Sequence, residues 1–211
     1  MGQVVKLAEN ETFDTLRGKQ YGVKREIILK AAERIFARTP FGKVSLREIA
    51  REAGISHATI YRYFPDRQTL FVEAFLRGVR KIEANIRAII DRKRKRTLED
   101  VAESFVTFLF DHDHYFKMMS NFMLEGDVPS HLHEKINAIA RSLMDEFADA
   151  FRVEGAEDVP RVTIHGFFSA LNGILITFHD YPGRERADIR RHVRRLARLT
   201  AGIFRRGWSA S

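Results

Sequence analysis

Apolar residues recur along most of this chain at three- and four-residue steps, the period of an amphipathic helix, and no segment convincingly shows the two-residue alternation of a strand. Ile27, Ile28, Ala31, Ile35 and Phe36 predict a first helix over about 23–38, with these five residues buried. The string Thr39-Pro40-Phe41-Gly42 ends it. Leu46, Ile49 and Ala50 give a second, short helix one buried face, and Ala53-Gly54 breaks it; glycine suits a turn that needs positive φ. Ile55 returns to the core, and Ser56 is a good N-cap for a third helix over about 56–63. That helix buries Ile60 and Phe64 and turns out His57, Ala58, Thr59, Tyr61, Arg62 and Tyr63. Pro65-Asp66 restarts the chain into a long fourth helix over about 67–92, with an apolar stripe from Leu70 to Ile90. Thr97-Leu98-Glu99-Asp100 reads as a capping signal ahead of Val101, Phe105, Phe108 and Leu109 on one face. Further helical runs cover about 113–125, 130–152, 158–180 and 185–206, with Gly- and Pro-bearing breaks between them. Residues 1–21 lack periodicity and read as a flexible arm. The pattern as a whole predicts an all-α fold of about nine helices.

The outer face of the third helix is small, hydroxylated, basic and aromatic. That surface suits the DNA major groove, whereas a plain surface helix has no use for two exposed tyrosines. Three segments carry a specific resemblance here. They are Ile27-Ile28-Leu29 with Ala31-Ala32 and Ile35-Phe36, then residues 45–56 with Ser45-Leu46, Ile49-Ala50 and Ala53-Gly54-Ile55-Ser56, then Thr59-Ile60-Tyr61, Tyr63-Phe64, Arg67 and Leu70. Over residues 22–82 the chain resembles the N-terminal DNA-binding domain of the TetR family of bacterial transcription regulators. The family usually has Lys where this chain has Arg67, and either residue can meet a phosphate. The resemblance implies a DNA-binding domain over 22–82, with its helix-turn-helix at 45–64, and a helical ligand-binding and dimerisation domain over 83–211. In the second part the chain fits the family only in being helical.

Composition narrows the alternatives. There is no cysteine, so disulfides and thiolate metal sites are excluded, and a reducing cytoplasm is compatible. The formal net charge of +8 favours polyanionic partners, nucleic acid or an anionic membrane surface. No apolar run is long enough to span a bilayer, and residues 1–20 are too polar for a signal peptide. No Gly-x-Ser-x-Gly, P-loop or carboxylate pair beside a base appears, so the expectation is a non-enzyme that needs no cofactor.

The DNA chemistry follows residue by residue. Ser45 caps the second helix and presents its hydroxyl and backbone N–H to a phosphate. Arg47, in the first turn, reaches a phosphate or a base. By the resemblance, His57, Ala58, Tyr61 and Arg62 are the groove contacts, with Ser56 at the start of the same helix. Ala58 lets the backbone approach the bases, Thr59 meets a thymine methyl or a phosphate, and Arg62 suits bidentate guanine readout. Tyr63 and Arg67 read as phosphate clamps on either flank. Two other readings stand beside these. Tyr61 and Tyr63 can pack within the small domain, and Arg47 and Arg62 can form solvated ion pairs with Glu48 or Glu52.

The remainder carries content without a motif. Phe occurs 17 times, and many of these cluster with Met over 105–122 and 147–178. The resemblance implies an inducer pocket there, for which Phe105, Phe108, Met118, Phe122, Phe168 and Asn172 are the candidate liners; ordinary core is the competing reading. His165 is a second candidate polar anchor. His112/His114 and His131/His133 are His-x-His pairs, but on a helix their rings point about 200° apart, against joint metal ligation. The basic run at 92–96 complements the C-terminal dipole of the fourth helix. The last two helical runs carry two apolar stripes, one able to cover the core and the other left for a partner. The family pairs these helices between two copies, which places Phe167, Leu171, Leu175, Val193 and Leu196 at a homodimer interface.

The expectation is therefore a cytoplasmic, ligand-responsive regulator. It would bind a double-stranded DNA operator as a homodimer and be released by a small hydrophobic or amphipathic effector, without a membrane role. A metal-sensing or small-molecule-binding helical protein without promoter activity is the alternative.

Overall fold

A computed structural model describes residues 2–92, 96–124, 129–156 and 158–209, and the side chains of residues 2–14, 124, 208 and 209 are left aside. The centre of the basic run and the break at 126–128 lie outside the described residues. Among those described there are nine α-helices and no strand: α1 Gly2–Arg38, α2 Leu46–Glu52, α3 His57–Ile60, α4 Arg67–Ile90, α5 Thr97–Asp111, α6 Asp113–Leu124, α7 Ser130–Val153, α8 Arg161–Phe178 and α9 Arg186–Ser209. A short 3₁₀ turn, Phe41–Lys43, precedes α2. The chain divides into two compact units, Met1–Ala74 and Phe75–Ser211, with the boundary inside α4 rather than near residue 82.

In the first unit, α1 begins at Gly2, well before the apolar periodicity starts. Residues 3–17 contain neither Gly nor Pro, so helix propensity continues the helix where packing gives no reason to. Ile28, Ala31, Ala32, Ile35 and Phe36 are buried as the period requires. Ile27 is not: it is exposed, because Ile28 and Ala31 set the buried face and Ile27 stands a full 100° off it. Phe36, Phe41 and Phe71 close the base of this core, with the Phe41 and Phe71 rings 4.2 Å apart.

In the second unit, α5 is the axis of the packing, with Leu98, Val101, Ala102, Phe105, Val106, Leu109 and Phe110 all buried. Aromatic rings fill the space around it. Phe105 meets Phe147 edge-on at 5.4 Å, and Phe147 meets Phe167 at 5.6 Å, near perpendicular. These tilted contacts align ring edges with ring faces, the favourable quadrupole arrangement. Along the rim, arginines on α9 recur every fourth residue and zip onto α5. Arg186 donates to the Phe110 carbonyl, Arg190 to Asp111, Arg194 to Glu103, and Arg198 to both Asp100 and Glu103. At the other end of α5, Glu154 accepts from the Leu98 backbone N–H at 2.7 Å and so caps the helix from another element.

Two predictions follow from this packing. A Cβ placed on Gly78 would lie 2.4 Å from Cδ1 of Tyr115, a ring that is itself 1% exposed and cannot retreat. Gly78→Ala should therefore destabilise the chain by about 1–3 kcal/mol through overpacking. The change of sign is the diagnostic, since the same substitution in an open helix interior gains about 1 kcal/mol; thermal unfolding measures it.

Acid should loosen the α5–α9 seam. Burial pushes the Glu103 carboxyl up, but the hydrogen bonds from Arg198 and Arg194 outweigh it and hold it below the usual glutamate range. The Arg190 hydrogen bonds hold Asp111 below the usual aspartate range. A lowered folded pKa means stability that is present above the unfolded value and lost as pH falls through the folded one. Glu154 works in the opposite sense, since burial raises it. Because the partner arginines are about two-fifths exposed, each seam contact contributes only about 1 kcal/mol. The fall in melting temperature between about pH 6 and about pH 3 should be smaller in Glu103→Gln than in the unmodified chain. An identical fall in both would remove Glu103 as a source of acid sensitivity.

Candidate nucleic-acid interface

The α2–turn–α3 element is built by two side-chain caps and one glycine. Ser45 Oγ accepts from the Glu48 backbone N–H at 3.2 Å, satisfying a free donor of the α2 N-terminus. Gly54 holds φ +69° between the helices, where a side chain would be strained. Ser56 Oγ accepts from the Thr59 backbone N–H at 3.1 Å and starts α3. It also shares a 2.7 Å hydrogen bond with Thr59 Oγ1, so the Thr59 hydroxyl is already occupied and its methyl is the group left for a base. Regular α-helix ends at Ile60, and 3₁₀-type bonds from Arg62 N to Thr59 O and Tyr63 N to Ile60 O carry the turn on through Tyr63. The expected span of 56–63 thus divides into one α-helical turn and a tighter continuation.

Ile60 and Phe64 are fully buried and fix this element to the core, which leaves the opposite face outward. His57, Ala58, Tyr61 and Arg62 are exposed on it, and Tyr61 is 49% exposed. The His57 and Tyr61 rings meet edge to face at 5.2 Å, which orders both. The carboxylate considered as a partner for Arg47 or Arg62 is taken from another side: Arg34 and Arg38 hold Glu52 at 2.7 and 2.8 Å. Their hydrogen bonds lower the Glu52 carboxyl from its ordinary value. Among the described residues neither Arg47 nor Arg62 has an ion-pair partner, so both guanidiniums stand open to solvent or DNA.

Two residues differ from their sequence reading. Arg67 places Nη1 within 3.2, 3.1 and 3.0 Å of the carbonyls of Phe41, Gly42 and Val44 and lays its guanidinium over the Phe41 ring. The group expected as a phosphate clamp is committed to the chain before α2 and acts by positioning. Tyr63 is half-buried and stacks on Tyr21 of α1, with ring centroids 4.7 Å apart. Sequence reasoning missed Tyr21. The available signal was its place seven residues before Ile28, hence on the core-facing side of α1.

The second unit separates the six candidate effector liners by their contacts. Phe105 and Phe168 are ring neighbours at 5.9 Å, and Asn172 donates from Nδ2 to the Phe168 carbonyl while its buried Oδ1 has no partner. Phe108 instead stacks on His112 and Tyr115 beside buried Met118, and Phe122 meets Phe75 at 4.6 Å. His165 is exposed and faces away from this core. Two open clefts occur elsewhere: one of about 400 Å³ lined by Phe178, Tyr181, Arg184, Asp188, Ile189 and His192, and one of about 340 Å³ on the charged seam at Asp100, Glu103, Arg190 and Arg194. Among the described residues no group of three or more His, Asp or Glu side chains is placed to hold a metal ion.

The expected dimer residues need correction. Phe167, Leu171, Leu175 and Val193 are fully buried inside one chain, and Leu196 is half-buried. The stripe that covers the core is the one assigned to the partner, because both helices turn their bulkiest apolar residues inward. The face left open carries Val162, Ser169, Gly173 and Ile176 on α8 and His192, Leu199 and Ile203 on α9.

A helix-turn-helix with an open basic and aromatic outer face defines a class, the DNA-binding proteins of that motif. Residues 28–74 match the family model described as bacterial regulatory proteins, tetR family. The chain carries the DNA-binding domain of the TetR family. An uncharacterized HTH-type transcriptional regulator of Mycobacterium tuberculosis is 36% identical over 73 residues, which is 35% of this chain and 36% of that relative. The chain thus matches little more than a third of that relative's length. Over most of its length the fold is shared with the fatty acid degradation regulator FadR of Bacillus halodurans, at a TM-score of 0.69 and 18% identity, covering 85% of this chain and 95% of that one. FadR of Bacillus subtilis, solved in complex with stearoyl-CoA, gives a TM-score of 0.65 at 18% identity, covering 82% and 96%. No helix among the described residues is long and apolar enough to cross a membrane.

Proposed function

We propose that this chain is a homodimeric transcription regulator, a repressor released from a palindromic operator by a small hydrophobic or amphipathic effector. The observation that carries it is the outer face of α3, where His57, Ala58, Tyr61 and Arg62 are exposed above buried Ile60 and Phe64. Such a face has no packing purpose and matches the donor and acceptor pattern of a major groove. Ser45 and Arg47 serve the phosphates, and Arg62 reads a guanine. The regulator acts in the cytoplasm, beside its operator.

The effector enters the second unit. Support comes from its aromatic and Met content and from the fold shared with a regulator solved with stearoyl-CoA, so an acyl chain is the favoured body. The unpartnered Asn172 Oδ1 beside Phe105 and Phe168 orients a polar head that donates a hydrogen bond. Release needs only that the effector bind more tightly to the conformation that holds DNA poorly.

The second copy covers the open α8–α9 face. Gly173 has nothing within 4 Å of its missing Cβ, and with Ser169 it admits a facing helix at short range.

Arg62→Ala should weaken binding to a selected operator by roughly 1–3 kcal/mol and relax preference at one base pair per half-site, as read by competition against single-base variants. Unchanged affinity in the folded variant would remove the assignment of α3 to the groove.

For the dimer, Ile176→Glu combined with Leu199→Glu should give folded monomers that no longer hold the operator, whereas Leu171→Glu should unfold the chain. Light scattering with circular dichroism separates the two. A double variant that stays dimeric would place the interface elsewhere.

A further inference from the structure

The face of α1 that packs on the core does not stop where the core stops. Ile28 is buried in it. Arg25, nearly one turn earlier, lies over the Phe64 ring at 4.8 Å and pairs with Glu73 at 3.4 Å. Tyr21, a turn before that, stacks on Tyr63 at 4.7 Å with the rings inclined by 27°. The partners thus step outward along the end of the recognition element, from Phe64 to Tyr63. The next residue on the same line is Arg17, four positions before Tyr21 and about 6 Å further along the axis. Arg17 is exposed, as is Lys24, which flanks this line. Over residues 15–30 the chain has five Lys or Arg (17, 19, 24, 25 and 30) against one acid, Glu26. Among the described residues Arg17, Lys19 and Lys24 have no ion-pair partner.

We infer that the amino-terminal half of α1 is a second DNA-binding element. Tyr21 stacked on Tyr63 fixes it beside the recognition element, so that Arg17 and Lys24 neutralise phosphates flanking the base pairs read by α3. The inference rests on α3 entering the major groove, as proposed above. With α3 so placed, Tyr63 is at the edge of the groove and the residues beyond it on α1 face the backbone of the duplex. Phosphate contacts of this kind add affinity and fix orientation but carry no base preference. Tyr21 is a positioning residue: its stack gives a helix that packs on little else a defined place.

The test is a salt titration of the full chain on its selected operator, on a scrambled duplex, and on an operator trimmed of its flanking base pairs. Arg17→Ala with Lys24→Ala should lower the salt slope by about 2, near 1 per lost phosphate contact, and weaken operator and scrambled duplex by the same factor. The melting temperature should not move, since both side chains are exposed. On the trimmed operator the unmodified chain should fall to the affinity of the variant. Tyr21→Ala should also lose part of the slope, and Tyr21→Phe should keep it. An unmodified chain that binds its operator, together with a double variant of unchanged slope and affinity, would overturn this inference alone. An unmodified chain that prefers no duplex would overturn the DNA reading and this inference with it.

Discussion

One guanidinium nitrogen sets the geometry on which the proposed reading head depends. Arg67 is the first residue of α4, and its Nη1 is shared among three carbonyls of the turn that precedes α2. The chain before the helix-turn-helix and the chain after it are thereby tied at one point. Charge-assisted bonds of this sort are about twice as strong as neutral ones, and three acceptors on one donor group leave little freedom of rotation. Phe41 adds its ring beneath the guanidinium and passes the constraint to Phe71 and Phe36. With both ends held, the placement of α3 is fixed by Ile60, Phe64 and the serine caps, and its outer face carries no structural duty.

The second unit solves a different problem. Its core is built of rings rather than of aliphatic ridges, and rings meet edge to face with gaps that methionine can fill. The same materials suit a packed core and a site for an acyl or aromatic body. The charged seam between α5 and α9 closes one side of that core by ion pairs whose arginines remain partly in water. Contacts of that kind add modest stability and high directional specificity, and they fix the register of α9 on α5.

What the sequence allowed varied with the kind of interaction. Helix existence, the Gly54 turn and the caps at Ser45 and Ser56 were legible, since each depends on residues within four positions of one another. The burial of Ile60 and Phe64 followed from periodicity alone. The side of a helix that faces its own core was harder to assign where both sides are apolar. On α8, Leu171 and Leu175 face inward and Ile176 outward, and nothing within the helix distinguishes them. Contacts made across sequence were illegible by nature. The stack of Tyr21 on Tyr63 joins residues 42 positions apart, and the Gly78–Tyr115 contact joins two further helices. Arg67 was recognised as a cation near the reading head, but its carbonyl partners only emerge when the chain is folded. Helicity before residue 23 lacked any periodic mark, because it rests on propensity and not on burial.

The central claim is that two copies of one reading head recognise DNA by sequence. Selection of the unmodified chain against randomised duplexes tests it most directly. The account predicts enrichment of an inverted repeat, bound by one dimer, with affinity at least about 1,000-fold above that for scrambled DNA at physiological salt. Retention of all duplexes alike, with no repeat enriched and only a salt-dependent affinity, would contradict it.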